Sequence, residues 1–407
     1  MTSTYSASLD SLPVELIENI VNNVSARALW KIIRPLNKSF YSAICSRDYW
    51  LRRIKNTNNI DLLPRIRNQQ DLHSLVKLSV LSEENIQRFD ENDCLTDYLI
   101  CTRHISTPDA FHSQYIDGRR MLFTGARDHK IVIWDLQKAA EEKNLQNGIK
   151  FEFNSAHDGW IWAITAFEER SFFTSSWDQK IKCWRYGESA VMESCYNAIK
   201  AVVALATVDR IIIGSVYGGQ LHFCDFRQQN KLIHELNLQS TTAIGIYADP
   251  KGYGLVAGTE SGRLFLYDRR FLANPVKKTK IFDGIRTFQY SNGTQMAACS
   301  RTQTIIFDPS TLNTELDFTA ATDTSPYYCI PTESGYFCSD NFDITYYSGG
   351  QNPRKITQTT FSNRISTLRY FDGDLIAGLG EGSIQVWPKE QLLNGRLNVD
   401  SVDNSGD

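Results

Sequence analysis

The apolar positions of this chain change period near residue 96. From 9 to 54 the beat is helical. Ile17, Ile20, Val21 and Val24 recur at i, i+3, i+4 and i+7; Ala28, Leu29, Ile32 and Ile33 line a second short face; Phe40, Tyr41 and Ile44 form a third, followed by Trp50. Ser11-Leu12-Pro13 opens the first helix, since proline suits a first turn where its missing N–H has no partner anyway. Pro35 is expected to end or kink the second helix. Residues 55–95 read as a helical connector with Leu72, Leu75, Val76 and Leu78 on its apolar face and Pro64 as a break. From 96 to 390, short apolar runs alternate with turn residues, which predicts strands and hairpins. Met121–Thr124, Asp128-His129-Lys130 and Ile131–Trp134 make one hairpin; Ser171–Thr174, Asp178-Gln179-Lys180 and Ile181–Trp184 make another. Later turns carry glycine: Tyr217-Gly218-Gly219, Ser261-Gly262 and Glu381-Gly382. Residues 391–407 are polar and acidic, a composition that predicts disorder.

The strand region repeats. Its units end at Trp134, Trp184, Cys224, Tyr267, Phe307, Tyr347 and Trp387, with gaps of 50, 40, 43, 40, 40 and 40 residues. A period of about 40–45 residues with a Trp-Asp ending resembles the WD repeats of β-propellers. The resemblance implies an all-β ring of seven blades. The strand near Tyr98–Thr102 is then expected to close the ring by joining the last blade, Leu375 to Trp387. WD repeats bury a His–Ser/Thr–Asp–Trp network. Two units match it: His104, Thr124, Asp128 and Trp134, then His157, Thr174, Asp178 and Trp184. A turn aspartate needs donors, and the imidazole and indole N–H groups supply them. A catalytic His–Asp pair has no reason to occur twice.

Charge and cysteines narrow the function classes. The net charge of −3 and pI near 6.2 give no general pull toward nucleic acid or anionic membrane. No apolar run reaches the ~18–20 residues of a membrane span, and Met1–Ala7 has no signal-peptide core. Nine cysteines, an odd number with no CxxC spacing, read as reduced core thiols of a protein of the cytoplasm and/or nucleus. No nucleophile motif, metal-ligand cluster or phosphate-cradling loop is visible, so no catalytic residue, metal or cofactor is expected.

The helical front is similar to the F-box family. The matching residues are Leu12-Pro13, Glu15, Ile17, Ile20, Leu29, Ile33, Leu36, Lys38, Phe40, Asp48 and Trp50. The resemblance implies docking on the Skp-type adaptor of a cullin–RING (SCF) ubiquitin ligase, with Leu12, Pro13, Ile17, Leu29 and Trp50 as adaptor contacts. WD repeats present one ring face through the third and fifth residues after the His and the residue before the turn Asp. In the second unit these are Trp160, Trp162 and Trp177. Tryptophan is enriched at binding hot spots, and one buried Trp per blade, here Trp184, already serves the core. Arg127, Arg286, Arg301 and Arg364 fall near the same face with Tyr217. An arginine ring around an aromatic floor suits an acidic or phosphorylated segment of a target protein. The reading is a non-catalytic substrate receptor: an F-box domain at 9–54, a connector at 55–95, a propeller at 96–390 and a tail at 391–407. The alternative is a WD-repeat scaffold that assembles proteins without ubiquitin.

Overall fold

The computed structural model describes residues 14–36, 38–58, 64–91, 95, 98–168, 170–187, 190–291, 295–332 and 334–388. Leu12, Pro13 and the tail from 391 lie outside them. Six helices come first: α1 (Val14–Asn23), α2 (Ala26–Ala28), α3 (Lys38–Ile44), α4 (Arg47–Asn58), α5 (Pro64–Arg67) and α6 (Leu72–Glu91). After α2 the chain widens into a π turn, Leu29–Ile33, and tightens into a 3-10 turn, Arg34–Leu36, that contains Pro35. Pro64 starts a helix instead of breaking one, as its fixed φ and missing N–H allow at a first position.

Seven four-stranded antiparallel sheets follow. The period-two pattern places each unit end on the third strand of a blade, and all seven are interior: Trp134, Trp184, Cys224, Tyr267, Phe307, Tyr347 and Trp387. The last blade is completed from the other end of the chain, where Leu99–Thr102 pairs with Ser383–Trp387 from Leu99↔Val386 to Thr102↔Ser383. Closure removes the open edges an incomplete ring would expose. The innermost strands of the blades, such as Pro108–Ile116, Ile161–Glu168 and Ile365–Phe371, line a central channel of about 790 Å³.

The helical front shares its core with the ring. Ile17, Val21, Leu29, Phe40, Ile44, Trp50, Leu75 and Val76 form one apolar cluster with Ala297, Ile306, Phe318, Tyr336 and Tyr347 of blades five and six. Helix α6 is the brace. Glu83 takes the Arg53 guanidinium at 2.6 Å, and Glu84 takes Arg27 at 2.5 Å. Arg53 also donates to the carbonyls of Val21 and Val24, tying α1 and α4 to α6. Farther along α6, Asn85 donates to Ser334 in a blade-six turn.

The two His–Asp networks that the WD-repeat resemblance implies are present as hydrogen bonds. In blade two, Trp184 Nε1–H donates to Thr174 Oγ1 at 2.8 Å, and Thr174 Oγ1 lies 2.7 Å from His157 Nε2. His157 Nδ1 lies 2.8 Å from Asp178. In blade one, His104 bridges Thr124 at 3.0 Å and Asp128 at 3.2 Å, with Trp134 donating to Thr124. The turn next to each aspartate needs positive φ. His129 (φ 68) and Gln179 (φ 69) supply it here, and Gly219, Gly262 and Gly382 supply it in later blades.

Burial holds the His157 imidazole below its usual value, against the pull of Asp178. Burial also pushes the Asp178 carboxyl up, but the His157 bond and the backbone N–H groups of Asp158 and Lys180 outweigh it and bring it down to about 2. Both shifts make the unfolded chain the better proton acceptor, so stability falls with pH. The loss should begin as pH drops below the ordinary histidine value of 6.5 and continue from 3.8 down to about 2. Asp178→Ala should cost about 1–3 kcal/mol by stranding a buried imidazole N–H. Urea unfolding of wild type and variant across this range checks both; matching stability in the two proteins would contradict the assignment.

Candidate aromatic binding face

Each blade has two ends. One is built from the turns joining second to third strands and the connections between blades. The other is built from the turns joining first to second and third to fourth strands. The tryptophans lie at the first end, where Trp177 N–H donates to the Trp160 carbonyl at 3.0 Å. The same bond in blade one runs from Arg127 to Thr107 and in blade three from Tyr217 to Ala201. This register makes Arg127, Trp177 and Tyr217 equivalent positions. It also makes Asp109 the blade-one counterpart of Trp162.

The structure brings the aromatic residues together. Trp160 and Trp162 lie nearly parallel, 14° apart with centroids at 6.5 Å. Trp177 crosses them at 67° and 70°, with centroids 6.0 and 6.1 Å away. Tyr217 extends the cluster, 6.1 Å from Trp177. Trp160, Trp177 and Tyr217 are 42%, 44% and 49% exposed. Ile105 and Ile199, which sequence reading did not single out, are more exposed still on the connections of blades one and three. For Ile105 the signal was available: it directly follows the network histidine His104, where the polar Asp158 stands in blade two.

The arginines are arranged differently from the expected ring. Arg127 stacks over Trp160 at 4.9 Å and lies 5.8 Å from Trp162, but its fork is held by Asp109 at 2.7 and 3.5 Å. Burial raises the Asp109 carboxyl above its ordinary value, and the Arg127 contacts only partly offset this. Arg286 lies across the channel over Tyr327, at 5.4 Å. Arg364 also lines the channel. Arg301 lies in the turn between the second and third strands of blade five, Gln295–Cys299 and Thr304–Phe307. Glu260 donates its N–H to the Thr242 carbonyl as Trp177 does to Trp160, so an acidic residue stands at the equivalent position of blade four and the mouth carries mixed charge.

The expected adaptor contacts sit inside the helical front. Ile17, Leu29 and Trp50 are 7%, 0% and 0% exposed, and Trp50 Nε1–H donates to the Ile44 carbonyl at 2.7 Å. Among the described residues of the front, the exposed large apolar side chains are Leu16, Ile32, Leu36 and Tyr41. The front occupies the other end of the ring. Residues Ile66, Leu75 and Leu78 face Asp249 and Gly254 of blade four and Asp308–Ser310 of blade five across a groove of about 620 Å³.

No group of side chains among the described residues could hold a metal ion, and the eight described cysteines are all free. No described helix is long and apolar enough to cross a membrane. The His157–Asp178 pair is interior, at 0% and 4% side-chain exposure, and cannot meet a substrate.

Comparison with known proteins agrees with this architecture. The WD domain, G-beta repeat family matches residues 150–185, which span the outer strand of blade one and the first three strands of blade two. F-box/WD repeat-containing protein 9 of Homo sapiens is 22% identical over 267 residues, 64% of this chain and 56% of that protein; the chain thus matches little more than half the relative's length. F-box/WD repeat-containing protein mec-15 of Caenorhabditis elegans is 21% identical over 286 residues, 68% of each chain. Among solved structures, Raptor of Chaetomium thermophilum superposes with a TM-score of 0.59 at 13% identity, over 71% of this chain and 28% of that one, which speaks to fold alone.

Trp177→Ala should leave the thermal midpoint unchanged, because the ring is half exposed. Trp184→Ala should cost about 3–5 kcal/mol as a core truncation. Calorimetry of the two variants separates surface from core, and equal losses would contradict the placement. The chain is a seven-bladed WD40 propeller with a helical front, related in sequence to the F-box/WD repeat-containing proteins.

Proposed function

We propose that this protein is the substrate-recognition subunit of an SCF-type ubiquitin ligase. The helical front docks a Skp-type adaptor and through it a cullin–RING ligase. The aromatic face binds the protein to be ubiquitinated and degraded. The observation that carries the reading is the separation of the two surfaces. Front and tryptophans lie at opposite ends of the ring, about 20–25 Å apart for inner strands of six to eight residues. One partner can therefore occupy each end without excluding the other. The F-box names of the relatives support the adaptor half of the proposal.

Such a subunit performs no bond chemistry. It raises the effective concentration of target lysines near the charged enzyme, and a braced arm does this better than a loose one. The Arg53–Glu83 and Arg27–Glu84 pairs supply the brace. Work as a ligase subunit places the protein in the cytoplasm and/or nucleus. With Ile17, Leu29 and Trp50 buried, the adaptor-facing side chains among the described residues are Leu16, Ile32, Leu36 and Tyr41. Leu12 and Pro13 remain adaptor contacts by resemblance. The extensive packing of the front on blades five and six favours one other reading, a scaffold whose helices only cap the ring.

A pull-down with purified Skp-type adaptor tests the proposal. Wild type should bind, and Ile32→Glu with Tyr41→Glu should lose binding at least tenfold with the propeller still folded. Absence of wild-type binding would leave the scaffold reading in its place.

A further inference from the structure

The aromatic face carries information about what it binds, given that it is the target surface. Its first property is unspent donors. Four of the five buried tryptophans, Trp50, Trp134, Trp184 and Trp387, donate their indole N–H, to Ile44, Thr124, Thr174 and Leu95. The indole N–H groups of Trp160, Trp162 and Trp177 and the Tyr217 hydroxyl have no hydrogen-bond partner among the described residues. Tryptophan and tyrosine in this state, ring on protein and polar tip in water, are characteristic of recognition surfaces.

Its second property is that the charges at its centre are paired. Arg127, the cation stacked on the cluster, is held by Asp109, and Lys180 beside the turn is paired with Asp158 at 3.0 Å. A phosphate or carboxylate would have to pull Arg127 from Asp109. A ligand ammonium would find no unpaired carboxylate among these residues. Lys200, whose Nζ lies beside Gly218, adds a cation at the cluster's edge and disfavours a basic ligand further.

Its third property is relief. Trp177 stands nearly perpendicular to the parallel Trp160 and Trp162 rings and within 6.1 Å of both, so the surface is a contiguous aromatic ridge that offers ring faces and edges. The backbone at this end of the ring consists of turns, so strand addition has no edge to extend.

We propose that this face recognises a proline-rich segment in polyproline II conformation. Pyrrolidine rings are apolar, uncharged and rigid, and they pack flat on exposed aromatic ring faces. A polyproline II backbone makes no internal hydrogen bonds, so its carbonyls are free for the indole and phenol donors. The segment is extended before it binds, which keeps the ordering cost low. A helix offers a similar apolar ridge, but its carbonyls are already used, leaving the four donors of the face unpaired.

The test is a decapeptide array probed with the full-length purified chain, containing Pro-x-x-Pro segments, the same segments with Pro→Ala, phosphoserine segments and lysine-rich segments. Retained peptides are then titrated by intrinsic fluorescence. The expected result is selection of the proline segments, at least tenfold weaker binding after Pro→Ala, and loss of binding by Trp177→Ala at an unchanged thermal midpoint. Trp177→Phe, which keeps a ring and removes the N–H, should weaken binding severalfold. Selection of phosphoserine or lysine segments overturns the inference, as does equal binding of proline segments by Trp177→Ala. Failure of the receptor reading shows separately: adaptor-bound wild type and Trp177→Ala would then support the same turnover of cellular targets.

Discussion

Four residues from the front of the chain, Leu99–Thr102, complete the blade built from its end, and the rest of the architecture depends on that pairing. Without it the seventh blade has three strands and an open outer edge. The bond from Trp387 Nε1–H to the Leu95 carbonyl, 3.1 Å long and interior, locks the same junction. Leu95 lies in the segment linking α6 to the first strand of the ring. Closing the ring therefore also fixes where the helical front is attached, and one constraint sets both the scaffold and the arm.

From that junction the arrangement is stiff in both directions. Around the ring, blades share apolar clusters through their neighbours; blades one and two, for example, meet through Phe123, Ile161, Phe172 and Trp184. Toward the front, α6 is held by carboxylate–guanidinium pairs to α2 and α4 and by the apolar cluster under blades five and six. Partly buried pairs of this kind contribute modestly to stability. Their larger effect is geometric, because they allow one orientation of α1–α4 against the ring.

The fold was readable because spacing is covalent. Blade length fixes the 40-residue beat, and the unit-end position stays interior whether it holds Trp134, Cys224 or Phe307. Apolar packing, not indole chemistry, defines that position, so the blades lacking the His–Asp network still form. The aromatic face was readable for the same reason, since the His157 and Asp178 landmarks fix the register of Trp160, Trp162 and Trp177. The adaptor surface was not. Helical periodicity marks Ile17, Leu29 and Trp50 as apolar, but it cannot say that α6 and two blades cover them. The arginine ring was misjudged because the neutralising partner of Arg127, Asp109, is 18 residues away and becomes its neighbour only through the blade-one hairpin.

Hydrogen–deuterium exchange of the full chain, free and saturated with a Skp-type adaptor, tests the central claim that the two ends of the ring are separate binding surfaces. The account predicts new protection confined to residues 14–58, with exchange unchanged at 158–162, 175–179 and 215–219. Protection spreading onto those three segments, or none in the helical front, would contradict it.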